Sequence, residues 1–216
     1  MIKLDNNHLI LGLDTVIEYL IKNKIYHPER DVYDFGVCTA GGTQSIAYYF
    51  KKYSIAYHMF YGFDSLEGLP KEDPSQPCPD LWQERAFNIQ SVCNLQNKEE
   101  AEKFIYDKLE GYKFRLIEGY FSDSLTDSLM IKNDFKPALF LSIDVDLYIS
   151  TVQVLDFMYR HNLIVKDTII RYDEWGGEDT GTPAGEERAH KEFEKKYNAR
   201  FKSIYFEQGV RILVCR

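Results

Sequence analysis

The stretch KPALFLSIDVD, residues 136–146, is an almost unbroken apolar run that ends in two aspartates one residue apart. A run of that kind suits a strand covered on both faces, as in a parallel sheet between two layers of helices. VKDTIIRYDEW, residues 165–175, repeats the pattern and ends in Asp173 and Glu174. Between the two lies ISTVQVLDFMYRHNLI, which reads as a helix. Strand, helix, strand is the unit of a parallel sheet and fixes most of what the chain can become.

The remaining segments extend the alternation. HLILGLDTVIEYLIKNKI reads as a helix, with Leu9, Leu11, Val16, Ile17, Leu20 and Ile21 on one stripe. DVYDFGVCTAGGTQSIAYYFKKY reads as strand, glycine turn and helix. IAYHMFYGFD and KFRLIEGYF are further strands, and EEAEKFIYDKLE is a charged helix. Residues 71–98 are polar and proline-marked, then mixed, and read as a lid or substrate loop with short helical parts. FKSIYFEQGVRILVCR carries a hairpin signal at Gln208 and Gly209. The expectation is one α/β domain over residues 1–216, opened by an N-terminal helical segment over 1–30.

Composition narrows the function classes. The formal charge of −8 argues against nonspecific nucleic-acid binding. No run of 18 apolar residues offers a membrane span, and the start MIKLDNNHLI lacks a signal-peptide pattern. Cys38, Cys78, Cys93 and Cys215 are scattered, without zinc or disulfide spacing. A cytoplasmic protein with reduced thiols is expected. A homodimer is the base-rate expectation for a soluble enzyme.

In an open parallel sheet, ligands bind beyond the carboxyl ends of the strands. The first strand ends at Gly36, Gly41 and Gly42, which allow either close approach to a ligand or a tight turn. The spacing is not GxGxxG. The second ends at Asp64, placed where a ribose is commonly held, or where an acid caps a local turn. The third ends at Gly119, with Tyr120 and Phe121 able to wall a flat base. The fourth and fifth end at Asp144 and at Asp173 and Glu174. If those strands are neighbours, the acids converge and need a counter-charge. A divalent cation is the simplest, and oxygen ligands favour Mg²⁺, Ca²⁺ or Mn²⁺ over zinc. The five histidines show no ligand spacing, and GEERAHKEFEKKY reads as a solvated helix face.

FDSLEGLP, SIDVDLYIST and IIRYDEW together resemble the macrocin O-methyltransferase family from about Asp34 to the C-terminus. The resemblance implies a Rossmann-like class I methyltransferase fold of seven mostly parallel strands, the last antiparallel, with helices on both faces. It implies an S-adenosylmethionine-dependent enzyme that methylates a sugar hydroxyl of a small-molecule acceptor. It assigns the cofactor to the Gly36–Gly42 turn, to Asp64 and Ser65, to Asp144, and to Gly119, Tyr120, Phe121 and Ser122. It assigns Mg²⁺, with Mn²⁺ as the alternative, to Asp144, Asp173 and Glu174, and the general base to Asp146. The chain departs from the family pattern in Glu174, where a second aspartate is usual, and in Leu66, where an aromatic is usual. Two other readings stand beside this one. One is a glycosyltransferase holding Mn²⁺ and a nucleotide sugar on its Asp-x-Asp. The other is a catalytically inactive cofactor-binding domain that serves in assembly.

Overall fold

In the computed structural model, residues 10–25, 27–176 and 185–216 are described. Seven strands form one sheet: β1 Asp31–Phe35, β2 Phe60–Asp64, β3 Phe114–Glu118, β4 Ala138–Ile143, β5 Ile169–Tyr172, β6 Phe201–Glu207 and β7 Val210–Cys215. Their order is β3-β2-β1-β4-β5-β7-β6. The first five run parallel, and β7 lies antiparallel between β5 and β6. The expected mostly parallel sheet with an antiparallel last strand is the one observed.

Burial explains the strand sequences. All residues of β1, β4 and β5 are buried, so their apolar runs face a helix layer on each side. One layer holds α1 Leu13–Asn23, α2 Gly41–Lys52 and α4 Lys98–Lys108, whose Leu13, Val16, Phe50 and Ile105 pack in one core. The other holds α7 Tyr148–Arg160 and α8 Gly185–Tyr197, contributing Val154, Met158 and Phe193 to a second core. Each large apolar side chain so enclosed is worth roughly 1.5–3 kcal/mol relative to exposure. The edge strands β3 and β6 hold only half-buried and exposed positions.

Two expectations need correction. The helix read across the N-terminal segment begins only at Leu13, after Gly12 in the left-handed region at φ 79°. Its inward stripe is Leu13, Val16, Ile17 and Leu20; Ile21 is 40% exposed. Leu9 lies outside the described residues. The charged helix α8 is not a solvated face throughout. Glu186, Ala189, His190 and Phe193 are buried, at the three-and-four spacing of an inward stripe. In the 71–98 segment the short helical parts are a 3₁₀ turn at Asp80–Trp82 and α3, Ile89–Cys93.

Strand order reverses between β1 and β4: the chain from β1 moves outward to β2 and β3, then returns to the other side of β1. A crevice opens at the carboxyl ends of two such strands. Here the residues just past those ends are Gly36 and Asp144.

Candidate active site

The two turns that meet at the crevice touch through backbone. A Cβ at Gly36 would lie 1.7 Å from the carbonyl oxygen of Asp144, and Gly36 has φ 95°. Only glycine fits there. A cavity of about 390 Å³ opens beside this contact. Gly36, Gly41, Gly42, Asp64, Ser65, Gly119, Tyr120 and Phe121 line one part of it. Asp144, Asp146, Asp173 and Glu174 also line it. Ser122 is not among the lining residues; its hydroxyl donates to the Asp123 carboxylate at 3.2 Å.

On the glycine side, α2 starts after Ala40 without a side-chain cap, so no side chain occupies its first N–H groups. Asp64 is heavily engaged. Its Oδ2 accepts from the Cys38 N–H at 2.8 Å and its Oδ1 from the Leu66 N–H at 2.7 Å. It therefore ties the turn after β1 to the turn after β2 while still facing the cavity. Ser65 closes the FDSLEGLP turn: its hydroxyl donates to the Gly68 carbonyl at 2.8 Å and accepts from the Glu67 N–H at 3.0 Å. Gly68 is required, since at φ 85° a Cβ would meet the Ala86 carbonyl at 2.3 Å.

On the acid side, β4 and β5 are neighbours, with Ile143 beside Tyr172. The strand β4 stops at Ile143, and Asp146 adopts a left-handed φ of 58°. Asp144 and Asp146 both line the cavity. Burial, then the charges of Asp144 and Glu174, push the Asp146 carboxyl up to about 7. Burial raises Asp173 well above the usual carboxylate range, with Asp144 and Glu186 adding to it. Asp173 Oδ1 is buried and has no hydrogen-bond partner among the described residues. Among the described residues, no three His, Cys, Asp or Glu side chains already stand at ligand spacing.

Two buried acids escaped the sequence reading. Asp34 on β1 lines the cavity and is 3% exposed. The Thr43 hydroxyl donates to it at 2.6 Å, and burial pushes its carboxyl up to about 7. The signal was an acid inside the run DVYDF, in a strand otherwise buried. Glu186 is fully buried. Its Oε1 accepts from the Val145 N–H at 3.3 Å and its Oε2 from the Glu174 N–H at 3.1 Å. It thus joins both acid-bearing turns, and burial and Asp144 raise its carboxyl well above the usual range. Its only sequence signal was the inward stripe of α8. No histidine lines the cavity, and His8 lies outside the described residues.

The family pattern Macrocin-O-methyltransferase (TylF) matches residues 9–192. The chain belongs to the macrocin O-methyltransferase family. No curated protein matches the chain in sequence. Among solved structures it is similar to the O-methyltransferase NovP, with a TM-score of 0.67 and 18% identity, over 94% of this chain and 78% of that one. It is similar to CalS11, calicheamicin methyltransferase, with a TM-score of 0.67 and 17% identity, over 94% of this chain and 77% of that one. The methyltransferase PaMTH1 of Podospora anserina, bound to SAH, has a TM-score of 0.52 at 10% identity, over 95% of this chain and 78% of that one. These identities support the shared class I fold. Family membership makes the chain an O-methyltransferase of an S-adenosylmethionine-dependent family acting on sugars.

Proposed function

We propose that this O-methyltransferase methylates a sugar hydroxyl with help from a divalent cation, and that Asp146 is the general base. The observation that carries the reading is a single cavity, with the glycine turn and Asp64 on one side and the carboxylates after β4 and β5 on the other. S-adenosylmethionine supplies an electrophilic methyl group on a sulfonium, so the protein's task is chiefly alignment. The glycine turn, Asp64, Ser65 and the turn from Gly119 to Phe121 line the part of the cavity suited to it.

The acid side fits Mg²⁺ by its donor chemistry: oxygen ligands only, several in one place, and an oxygen of Asp173 buried without a partner. Asp144, Asp173 and Glu174 would hold the ion, with Mn²⁺ as the alternative. It would offset their mutual repulsion and lower the pKa of a nearby hydroxyl. Asp146 would take the hydroxyl proton, and the sulfonium of S-adenosylmethionine would supply the methyl group to the acceptor oxygen. Asp146, two residues past Asp144, has a left-handed φ and lines the cavity. The neighbour CalS11 is a TDP-rhamnose 3'-O-methyltransferase, which makes TDP-rhamnose a sensible first acceptor. The glycosyltransferase reading gives no account of the glycine turn or of Asp64, and the cavity-facing Asp146 speaks against an inactive assembly domain.

The test is methyl transfer from labelled S-adenosylmethionine to TDP-rhamnose and a panel of sugar acceptors, read by mass. Asp146→Asn should lower turnover by about 10²–10⁴-fold while S-adenosylhomocysteine affinity holds. EDTA should remove activity and Mg²⁺ restore it. Near-normal turnover in the variant would exclude Asp146 as the base, and full turnover in EDTA would exclude the cation.

A further inference from the structure

A non-glycine residue in the left-handed region is strained, and strain persists only where the surroundings impose it. Asp146 is such a residue, and α7 begins two positions later. The N-cap of α7 is Leu147, whose side chain has no acceptor. The first N–H groups of α7 are satisfied from elsewhere in the chain. Glu72, 9% exposed, reaches across from the 71–98 segment. Its Oε2 accepts from the Tyr148 N–H at 2.7 Å and its Oε1 from the Ile149 N–H at 3.1 Å. The same Oε1 accepts from the Asp73 N–H at 2.7 Å, which fixes the carboxylate to its own loop. A negative group at a helix N-terminus is favourable both as an acceptor and against the helix dipole.

The same stretch has a second anchor. Gln76 Oε1 accepts from Arg188 Nη1 of α8 at 2.9 Å. The Arg188 guanidinium lies 5.4 Å from the centre of the Tyr148 ring, and the Tyr148 hydroxyl donates to Glu192 at 2.6 Å. Residues 72–76 therefore tie the start of α7 to α8, next to the turn that carries Asp146. Glu186 of α8 holds the Val145 N–H of the same turn.

We propose that Glu72 is a positioning residue for Asp146. By capping α7 from a distant segment, it fixes the 144–149 turn and makes the direction of Asp146 depend on how the 71–98 segment is docked. The proposal rests on the reading of Asp146 as the base; the cap itself does not. A segment that reaches the cavity at Phe87 would then be coupled to the proton-accepting group by one carboxylate. A displacement of about 1 Å at a reacting group can cost 10²-fold in rate, so this link has catalytic weight.

The test compares Glu72→Ala and Glu72→Gln in the full chain. Hydrogen exchange of a peptide covering residues 145–152 should speed up about tenfold or more in the alanine variant, and less in glutamine, which keeps one acceptor oxygen. Turnover of S-adenosylmethionine with TDP-rhamnose should show kcat lowered at least about tenfold with KM for S-adenosylmethionine nearly unchanged. If the alanine variant fails to fold, the glutamine variant carries both measurements. Unchanged exchange at 145–152 would overturn the cap. Faster exchange with unchanged kcat would overturn the positioning role. Wild-type turnover in Asp146→Asn would instead remove the base and leave the exchange result standing, so the two failures can be told apart.

Discussion

Buried aspartates stand at both ends of this sheet, and they are treated in opposite ways. Asp31, at the start of β1, is fully buried and surrounded by donors. The Met59 and Lys136 N–H groups donate to it at 3.1 and 2.7 Å, the Tyr33 hydroxyl at 3.1 Å, and His58 Nδ1 lies at 2.9 Å. Asp173, just past β5, has a buried oxygen with no donor among the described residues and lies near Asp144 and Glu186. A buried acid with a full set of donors locks elements together. One left short among other acids stores a demand for positive charge. The contrast separates scaffold from site without any appeal to family.

The largest effect should come from breaking the scaffold where it touches the site. In Gly36→Ala, the new Cβ would fall 1.7 Å from the Asp144 carbonyl oxygen, and φ 95° is strained for alanine. Neither problem involves a rotatable side-chain bond, so no rotamer relieves them. We expect a loss of more than about 3 kcal/mol and no measurable S-adenosylhomocysteine binding. Chemical denaturation and titration calorimetry check this. Wild-type stability would mean that the turns after β1 and β4 can part freely.

The next pair of variants tests the contrast itself. Asp31→Asn swaps one oxygen for an NH₂, which must face either the Met59 donor on Oδ1 or the Lys136 donor on Oδ2. It should cost about 1–3 kcal/mol and leave cofactor affinity intact once folded. Asp173→Asn removes one charge from a crowded set. Without metal it should be neutral or stabilising, and it should abolish the rise in melting temperature that Mg²⁺ gives the wild type. If Asp173→Asn destabilises like Asp31→Asn and keeps the Mg²⁺ response, the two aspartates have the same role and the contrast fails.

What could be read from the sequence follows the same division. The apolar runs around Phe140 and Ile170 announced buried parallel strands, because period and burial are local properties. The turn at Asp146 was not legible, because residues i and i+2 of an extended strand already share a face and the pair needs no turn to meet one cavity. Glu72 and Glu186 were not legible. Each acts on backbone N–H groups far along the chain, from Val145 to Ile149 and at Glu174, and such a pairing exists only after the fold has formed. Glu186 was further hidden by its neighbours, since a helix with this many charges carries only a narrow inward stripe. Asp34 was visible as an acid in a strand, but its place in the cavity depends on Ser142 and Arg171 lying level with it across β4 and β5.

The smallest expected effect concerns His190, behind the β5 turn. Its Nδ1 lies 2.8 Å from the Tyr172 hydroxyl, while its Nε2 is buried without a hydrogen-bond partner. Burial lowers its pKa below the ordinary histidine value. The unfolded chain therefore binds a proton near pH 6.5 that the folded chain refuses, and stability falls as the pH drops through that value. Above it both states are neutral and the full stability is present. At pH 5.5 the penalty is at most about 1.4 kcal/mol, the cost of one pH unit of unmatched protonation. His190→Asn keeps a polar atom for Tyr172 and cannot titrate. Its stability between pH 7 and 5.5 should fall less steeply than that of the wild type in denaturant titrations. Equal slopes would show that His190 takes up its proton in the folded protein, with Glu194, 3.8 Å from Nε2, as the acid that compensates it.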